Sequence, residues 1–359
     1  MLTGNKGEWS EVYALLKVIA DKKLYRGDGN LNRLEDAVLP IIKVLREESD
    51  GTYQYEIQQN LVIISGSGQE FTIPVIEFQQ QAKYLLERIK SSASASFEIL
   101  EIENFIASFN CTSLKANSGV KSDIRIVLHD AATGTSPELG FSIKSQLGSA
   151  STLLNAGKTT NFIYKVTGDK LTPELINAIN LIDGGSKVKD RLAKIASLGR
   201  TLVFTKTEKS IFSNNLTLID SALPKILAEI VYLFYSSANT KLTDLVSVVA
   251  AINPLNFDVS ENHPFYIYKI KRLLTDIALG MMPSKIWTGE LEATGGYLVV
   301  KDDGEVLSYH IYNRNDFEDY LLKHTKLETA STTRHEFGVV YEQDGEQFFK
   351  LNLQIRFIK

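Results

Sequence analysis

The sequence predicts an α/β (α+β) fold: a mixed central sheet flanked by helices, followed by a helical and β-hairpin C-terminal region. Three features predict it. Helical and strand-like patterns alternate through the first 210 or so residues, helical spacing dominates from about Leu223, and two Asp-Gly turns mark hairpins near the end.

Residues 7–21 place Trp9, Val12, Leu15, Leu16 and Ile19 on one helical stripe, with Asn5 as N-cap. Tyr53 to Ile64 alternates as a strand, and Val75 to Ile89 returns to helical spacing. A helix over 99–109 gathers Ile99, Ile102, Ile106 and Phe109 on one face. A hairpin follows, running out through Ser122-Asp-Ile-Arg-Ile-Val-Leu and back through Glu138-Leu-Gly-Phe-Ser-Ile-Lys. Gly148 to Gly157 reads as a short helix with a serine N-cap and a glycine stop. Phe162–Val166 and Thr201–Thr205 read as strands of the catalytic layer, separated by two helical patterns. Helices are expected over 223–235, 242–252 and 265–279, broken at Asn253-Pro and Met282-Pro. Hairpins turning at Asp303-Gly and Asp344-Gly close the chain, because Asp-Gly tolerates the positive φ of tight turns. The organisation expected is an N-terminal mixed α/β region over 1–95, a catalytic core over 96–210, and a helix-rich, β-hairpin region over 211–359 assigned to substrate recognition.

The chain has 359 residues, 44% hydrophobic and 23% charged, enough for a sizeable core and too apolar for a disordered chain. A net charge of −4 excludes a uniformly basic nucleic-acid coat but leaves room for a local positive groove. The single Cys111 forms no intramolecular disulfide, and no Cys or His spacing matches a zinc site. No apolar stretch reaches the ~20 residues of a membrane helix, and the first residues lack a signal peptide's apolar core, so a cytoplasmic protein is expected. GxSxG, P-loop and GxGxxG patterns are absent, which leaves esterase, NTPase and dinucleotide-binding readings without an anchor.

The chemistry concentrates on the 122–144 hairpin. Folding brings Asp123 beside Lys144, and strand alternation turns Gly140, Ser142 and Lys144 to one side, expected to face a cleft. A carboxylate-held divalent metal with a neighbouring lysine suits phosphodiester hydrolysis, because phosphate charge must be neutralised and a water activated. Mg²⁺ needs only one or two protein carboxylates for this. The nuclease signature Asp…(Asp/Glu)-x-Lys places an acid two residues before the lysine, where this chain has Ser142. Glu138 cannot replace it, since it lies roughly 13 Å from Ser142 and 20 Å from Lys144 at ~3.3 Å per residue. Glu11, at the edge of the first helix's apolar stripe, ranks first as second metal ligand, and Glu103 ranks behind it. Glu8 has a structural explanation as the third residue of a capping box with Asn5. Gln146 continues the cleft-facing side, and Lys115, Asn117 and Lys121 surround the approach to Asp123 with phosphate-gripping donors. The basic run Lys187 to Lys194 reads as an ordinary exposed helix face.

Three separated motifs carry a family resemblance: Gly4-Asn-Lys-Gly-Glu-Trp-Ser-Glu-Val-Tyr, then Lys121-Ser-Asp-Ile with Leu139-Gly-Phe-Ser-Ile-Lys-Ser, and Lys350-Leu-Asn-Leu-Gln-Ile-Arg-Phe. Over almost its whole length the chain resembles type II restriction endonucleases of the HpaII family. The resemblance implies a restriction-endonuclease-like fold and Mg²⁺-dependent cutting of both strands of double-stranded DNA within a short palindrome, CCGG in the named family member. It also implies a cognate DNA methyltransferase as functional partner. Asp123 and Lys144 match the family's catalytic hairpin, Ser142 matches its departure from the acidic position, and Glu8 and Glu11 belong to its amino-terminal motif. Guanine is commonly read by an arginine fork, for which Arg334 in Thr332-Thr-Arg-His is the first choice, with Arg314 and His335 behind it. A palindromic target favours a homodimer. The missing acid at 142 motivates one alternative, a non-catalytic DNA-binding protein on a decayed nuclease scaffold. A nuclease acting on branched or damaged DNA is another.

Overall fold

The computed structural model describes residues 1–115, 122–129 and 134–359. Its framework is a nine-stranded mixed sheet, whose strands run in the order β2 (Lys23–Gly27), β14 (Val306–His310), β13 (Gly296–Val300), β9 (Glu138–Ser145), β8 (Ile124–Leu128), β3 (Arg33–Glu48), β4 (Gly51–Gln58), β5 (Leu61–Gly66) and β6 (Gln69–Pro74). All three regions expected from the sequence contribute strands. The pairings β9–β13 and β2–β14 are parallel and the rest antiparallel. The first half of β3 pairs with β2, from Pro40 opposite Lys23 to Arg33 opposite Gly27, and its second half pairs with β8 and β4.

Two apolar clusters cover the sheet, because alternate strand residues point to opposite faces. Leu298 and Val300 of β13 join one cluster with Phe141 and Trp9, whereas Tyr297 and Val299 join the other. The first cluster takes up helices α1 (Lys6–Asp21), α2 (Val75–Ser91) and α3 (Leu100–Ala107). All five stripe residues of α1 are essentially inaccessible, which makes α1 a packed element of the sheet's covering layer. Its start is fixed by the expected capping box: Asn5 Oδ1 accepts from Gly7 and Glu8 N–H, and Glu8 Oε2 accepts from Asn5 N–H at 2.7 Å.

The second cluster belongs to the C-terminal half. It holds α4 (Pro173–Asn180), α5 (Lys187–Ser197), α6 (Ser210–Ile219), α7 (Leu223–Ser236), α8 (Leu242–Ile252), α9 (Phe265–Leu279) and α10 (Arg314–Lys323), with a short α11 (Thr332–His335). Two smaller sheets belong to this half. One is β12 (Thr201–Thr207), β11 (Asn161–Thr167), β17 (Glu346–Asn352) and β16 (Val340–Gln343); the other is β10 (Thr152–Leu154), β18 (Ile355–Phe357) and β15 (Thr325–Leu327). A two-stranded ribbon of β1 (Thr3–Gly4) and β7 (Phe97–Glu98) ties the amino terminus to the segment before α3.

Three expectations are corrected. Residues 161–167 and 201–207 form strands, but in the separate four-stranded sheet and not in the layer that carries Asp123. The segment from Gly148 to Gly157 is not a helix: Thr152 and Leu154 pair with Arg356 and Ile355. That strand is stabilised by a partner some two hundred residues away, which local capping signals do not reveal. The tyrosine-rich strand expected over 53–64 is a hairpin, β4 and β5, turning at Gln59 with φ +52°.

Candidate active site

The 122–144 hairpin forms as expected. Ile124 lies opposite Phe141 and Val127 opposite Glu138, so Asp123 falls level with Ser142, two residues from Lys144. Asp123 is locked by two backbone contacts: its N–H donates to Phe141 O at 2.8 Å, and its Oδ2 accepts from Ile143 N–H at 2.7 Å. Gly140 makes room for this corner, since a Cβ there would lie 2.9 Å from Ser122 Cβ.

α1 is pinned onto the far end of β9. Ser145 Oγ donates to Ser10 Oγ at 2.8 Å, and Ser10 Oγ donates to Lys6 O at 2.6 Å. This docking presents Glu11, the next residue, to the hairpin. Asp123 and Lys144 are among the charges acting on Glu11, and Glu11 and Asp123 both act on Lys144. Burial and the Asp123 carboxylate push the Glu11 carboxyl up to about 7. Burial raises Asp123 against the opposing pull of the Ile143 N–H, Lys144, Arg46 and Lys115, and burial lowers Lys144 against the pull of both carboxylates. Among the described residues no hydrogen bond or ion pair engages the Glu11 carboxylate or the Lys144 ammonium, and the latter lies 5.0 Å over the Tyr297 ring. Two neighbouring carboxylates, neither held in an ion pair among the described residues, have the oxygen-donor chemistry of a hard-cation site.

For Glu11, folding raises the pKa from 4.5 to about 7, so the folded protein binds more protons than the unfolded chain between those values. Its contribution to stability is therefore present at low pH and lost as pH rises through 7, an upper bound of about 3 kcal/mol. Without divalent ions the protein is expected to melt at a lower temperature at pH 8 than at pH 5.5, and Glu11→Gln to remove most of that difference. Thermal unfolding in chelator at both pH values is the check, and an unchanged pH slope in the variant contradicts the placement of Glu11.

Arg46 and Glu48, on β3, escaped the sequence reading. Their side chains are buried and paired at 3.2 Å; Arg46 also donates to Ser113 O at 2.7 Å and to Cys111 Sγ at 3.2 Å, while Glu48 accepts from Thr112 N–H and Ser113 Oγ. The pair fastens residues 111–113, which lead to Lys115. Lys115 in turn binds Glu8 at 2.6 Å and acts electrostatically on Glu11 and Asp123. Arg46→Met strands a buried carboxylate, so an unfolding free energy lower by ~3–5 kcal/mol is expected in urea titrations. The available signal was the i, i+2 pair of opposite charges on one strand face, directly after the apolar run that ends at Leu45.

The remaining expected residues disperse. Ser142 is buried in the row between Asp123 and Lys144 and supplies no carboxylate. Glu103 does not join the cluster, because its carboxylate pairs with the Met1 amine at 3.3 Å. Gln146 extends the β9–β13 ladder through its N–H to Val300 O, and with Lys144 it lines a small recess against Tyr320 and His324. Lys121 and Asn117 lie outside the described residues. Arg334 is exposed on α11, which Ser331 caps; His335 is half-buried there and its carbonyl accepts from Asn161. That turn follows a cavity of about 680 Å³ lined in part by Lys187, Lys189 and Lys326. Arg314 pairs with Glu318 at 2.6 Å. Among the described residues no group of three or more His, Cys, Asp or Glu gathers as a metal site.

Known proteins identify the family of the chain. The family model for the HpaII restriction endonuclease matches residues 5–357. The type II restriction enzyme HpaII of Haemophilus parainfluenzae is 48% identical over 359 residues, covering 99% of each chain. No solved structure matches the chain. The protein is a type II restriction endonuclease, a site-specific deoxyribonuclease. Within that class, the chain belongs to the HpaII restriction endonuclease family.

Proposed function

We propose that the protein cuts both strands of DNA within CCGG by Mg²⁺-dependent hydrolysis, on a restriction-endonuclease-like core whose reacting residues are Glu11, Asp123 and Lys144. The observation that carries this reading is the docking of α1 on β9, which brings a second carboxylate to the hairpin that lacks one at Ser142. Asp123 and Glu11 would hold the ion, and two oxygen ligands suit Mg²⁺, which retains waters and accepts phosphate oxygens. When bound, the ion supplies charge neutralisation at the phosphate and a water acidic enough to be deprotonated near neutral pH.

The chain's own residues do the rest. The Ile143 N–H orients the Asp123 carboxylate, and the tie between Ser10 and Ser145 sets the reach of Glu11. Lys144, held between these carboxylates and the Tyr297 face, offers its ammonium to the charge that builds on the phosphate. Lys115 and Lys121 contact the backbone of the duplex, and Arg334 and His335 read base edges. A homodimer presents two such sites to the two strands of a palindrome, and a methyltransferase of the same specificity protects the host's own sites. Among the described residues no helix is long and apolar enough to cross a membrane, in keeping with a cytoplasmic enzyme.

End mapping of plasmid digested with Mg²⁺ is the test. A ladder whose ends all fall within CCGG is expected. Gel retardation without cutting would instead mark a DNA-binding protein on a decayed scaffold, and ends at junctions or lesions a structure-specific nuclease.

A further inference from the structure

A second group of charged and aromatic side chains lies at the same end of the sheet as Asp123. Ile124 is level with Phe141, Phe141 with Gly296, and Gly296 with His310. Three strand spacings of ~4.8 Å thus separate Ile124 from His310, roughly 15 Å. Ile311, the next residue, forms part of the wall of a cavity of about 380 Å³, which Arg272 and Asp276 of α9, Trp287, Leu291 and Arg314 also line. That distance corresponds to only a few base pairs at ~3.4 Å per step.

The cavity walls are built, and two of its charged side chains are unpaired. Arg272 and Asp276 sit one helical turn apart, the spacing at which such charges ordinarily pair. Yet among the described residues neither side chain makes a hydrogen bond or ion pair. Burial and the nearby Glu318 push the Asp276 carboxyl up to about 6. Trp287 is held in place on both sides. Its N–H is bound by buried Asn215 Oδ1 at 3.1 Å, Asn215 Nδ2 also donates to Met282 O and Lys285 O, and the indole N–H donates to Glu290 O at 3.1 Å. The loop that begins at Trp287 returns to the catalytic hairpin, where Gly295 N–H donates to Gly140 O at 2.7 Å.

We propose that this cavity receives one guanine of the target site, turned out of the duplex, with its ring on Trp287, Asp276 accepting from N1–H and the 2-amino group, and Arg272 donating to O6 and N7. Guanine is the base that offers two adjacent donors to a carboxylate and two adjacent acceptors to a guanidinium. A carboxylate cannot reach the N1–H edge of a paired base, so the contact requires the base to leave the stack. Stacking on one aromatic face is worth a factor of about 5 to 150 in binding, and part of the unpairing cost is offset there. The pocket rests on the reading that this enzyme cuts a site containing guanine.

The test uses a duplex carrying the site fixed by end mapping, with a fluorescent guanine analogue at each guanine in turn and Ca²⁺ in place of Mg²⁺ to prevent cutting. Gel retardation of the same mixtures reports binding independently. A several-fold rise in emission at one guanine on complex formation is expected, lost in Trp287→Ala and reduced in Asp276→Asn while the duplex stays retarded. A retarded duplex with unchanged emission at every guanine overturns the pocket and leaves the DNA-cleavage reading intact, as does a rise that both variants preserve. A duplex that is not retarded at all contradicts the DNA-cleavage reading, and the pocket with it.

Discussion

Asp123→Asn is expected to lower Mg²⁺-supported cleavage at least ~10³-fold, because it removes one of two carboxylates from the proposed ion site. The substitution is chosen to leave the fold alone. An asparagine oxygen still accepts from the Ile143 N–H, which holds this corner of the hairpin at 2.7 Å, whereas alanine loses that bond as well. Asparagine also removes the negative charge that helps to raise the Glu11 carboxyl. Without divalent ions the variant should therefore melt no lower than the parent protein at pH 8, and inactivity would not be a folding defect. Single-turnover cleavage measured beside a thermal melt separates the two. Cleavage at the parent rate would mean that the ion is held elsewhere.

Lys144→Met is the second large effect, with an expected loss of about 10²- to 10³-fold at saturating DNA. Methionine keeps much of the apolar stem and deletes the ammonium that lies over Tyr297. The ammonium also lowers the carboxyls of Asp123 and Glu11, so its removal should move both upward. Groups that must be ionised then become so only at higher pH, and the rising limb of the pH–rate profile should shift alkaline. A variant that has lost rate without moving its profile would place Lys144 beside the phosphate but outside the carboxylates' field.

Local periodicity carried much of the fold. The apolar stripe of α1, the Asn5 capping box and the Asp-Gly hairpins depend on neighbours within a few residues, and they appear where the sequence puts them. The long strand β3 did not stand out, because Pro40 interrupts its pattern and its two halves pair with different partners. Arg46 and Glu48 were lost with it. The hairpin fixed Asp123 and Lys144 by simple alternation, whereas the choice between Glu11 and Glu103 depended on how a helix docks, a contact across more than a hundred residues that spacing cannot encode. The polar tie of Ser10 to Ser145 sets Glu11 beside the hairpin, while the Glu103 carboxylate pairs with the Met1 amine.

The most direct measurement is a crystal structure of the protein with its cognate duplex and Mn²⁺, phased to locate the ion by its anomalous signal. Expected is a peak between the carboxylates of Asp123 and Glu11, with the Lys144 ammonium on the same phosphate. An ion bound without either carboxylate, or a duplex whose scissile phosphate lies away from this hairpin, would contradict the site.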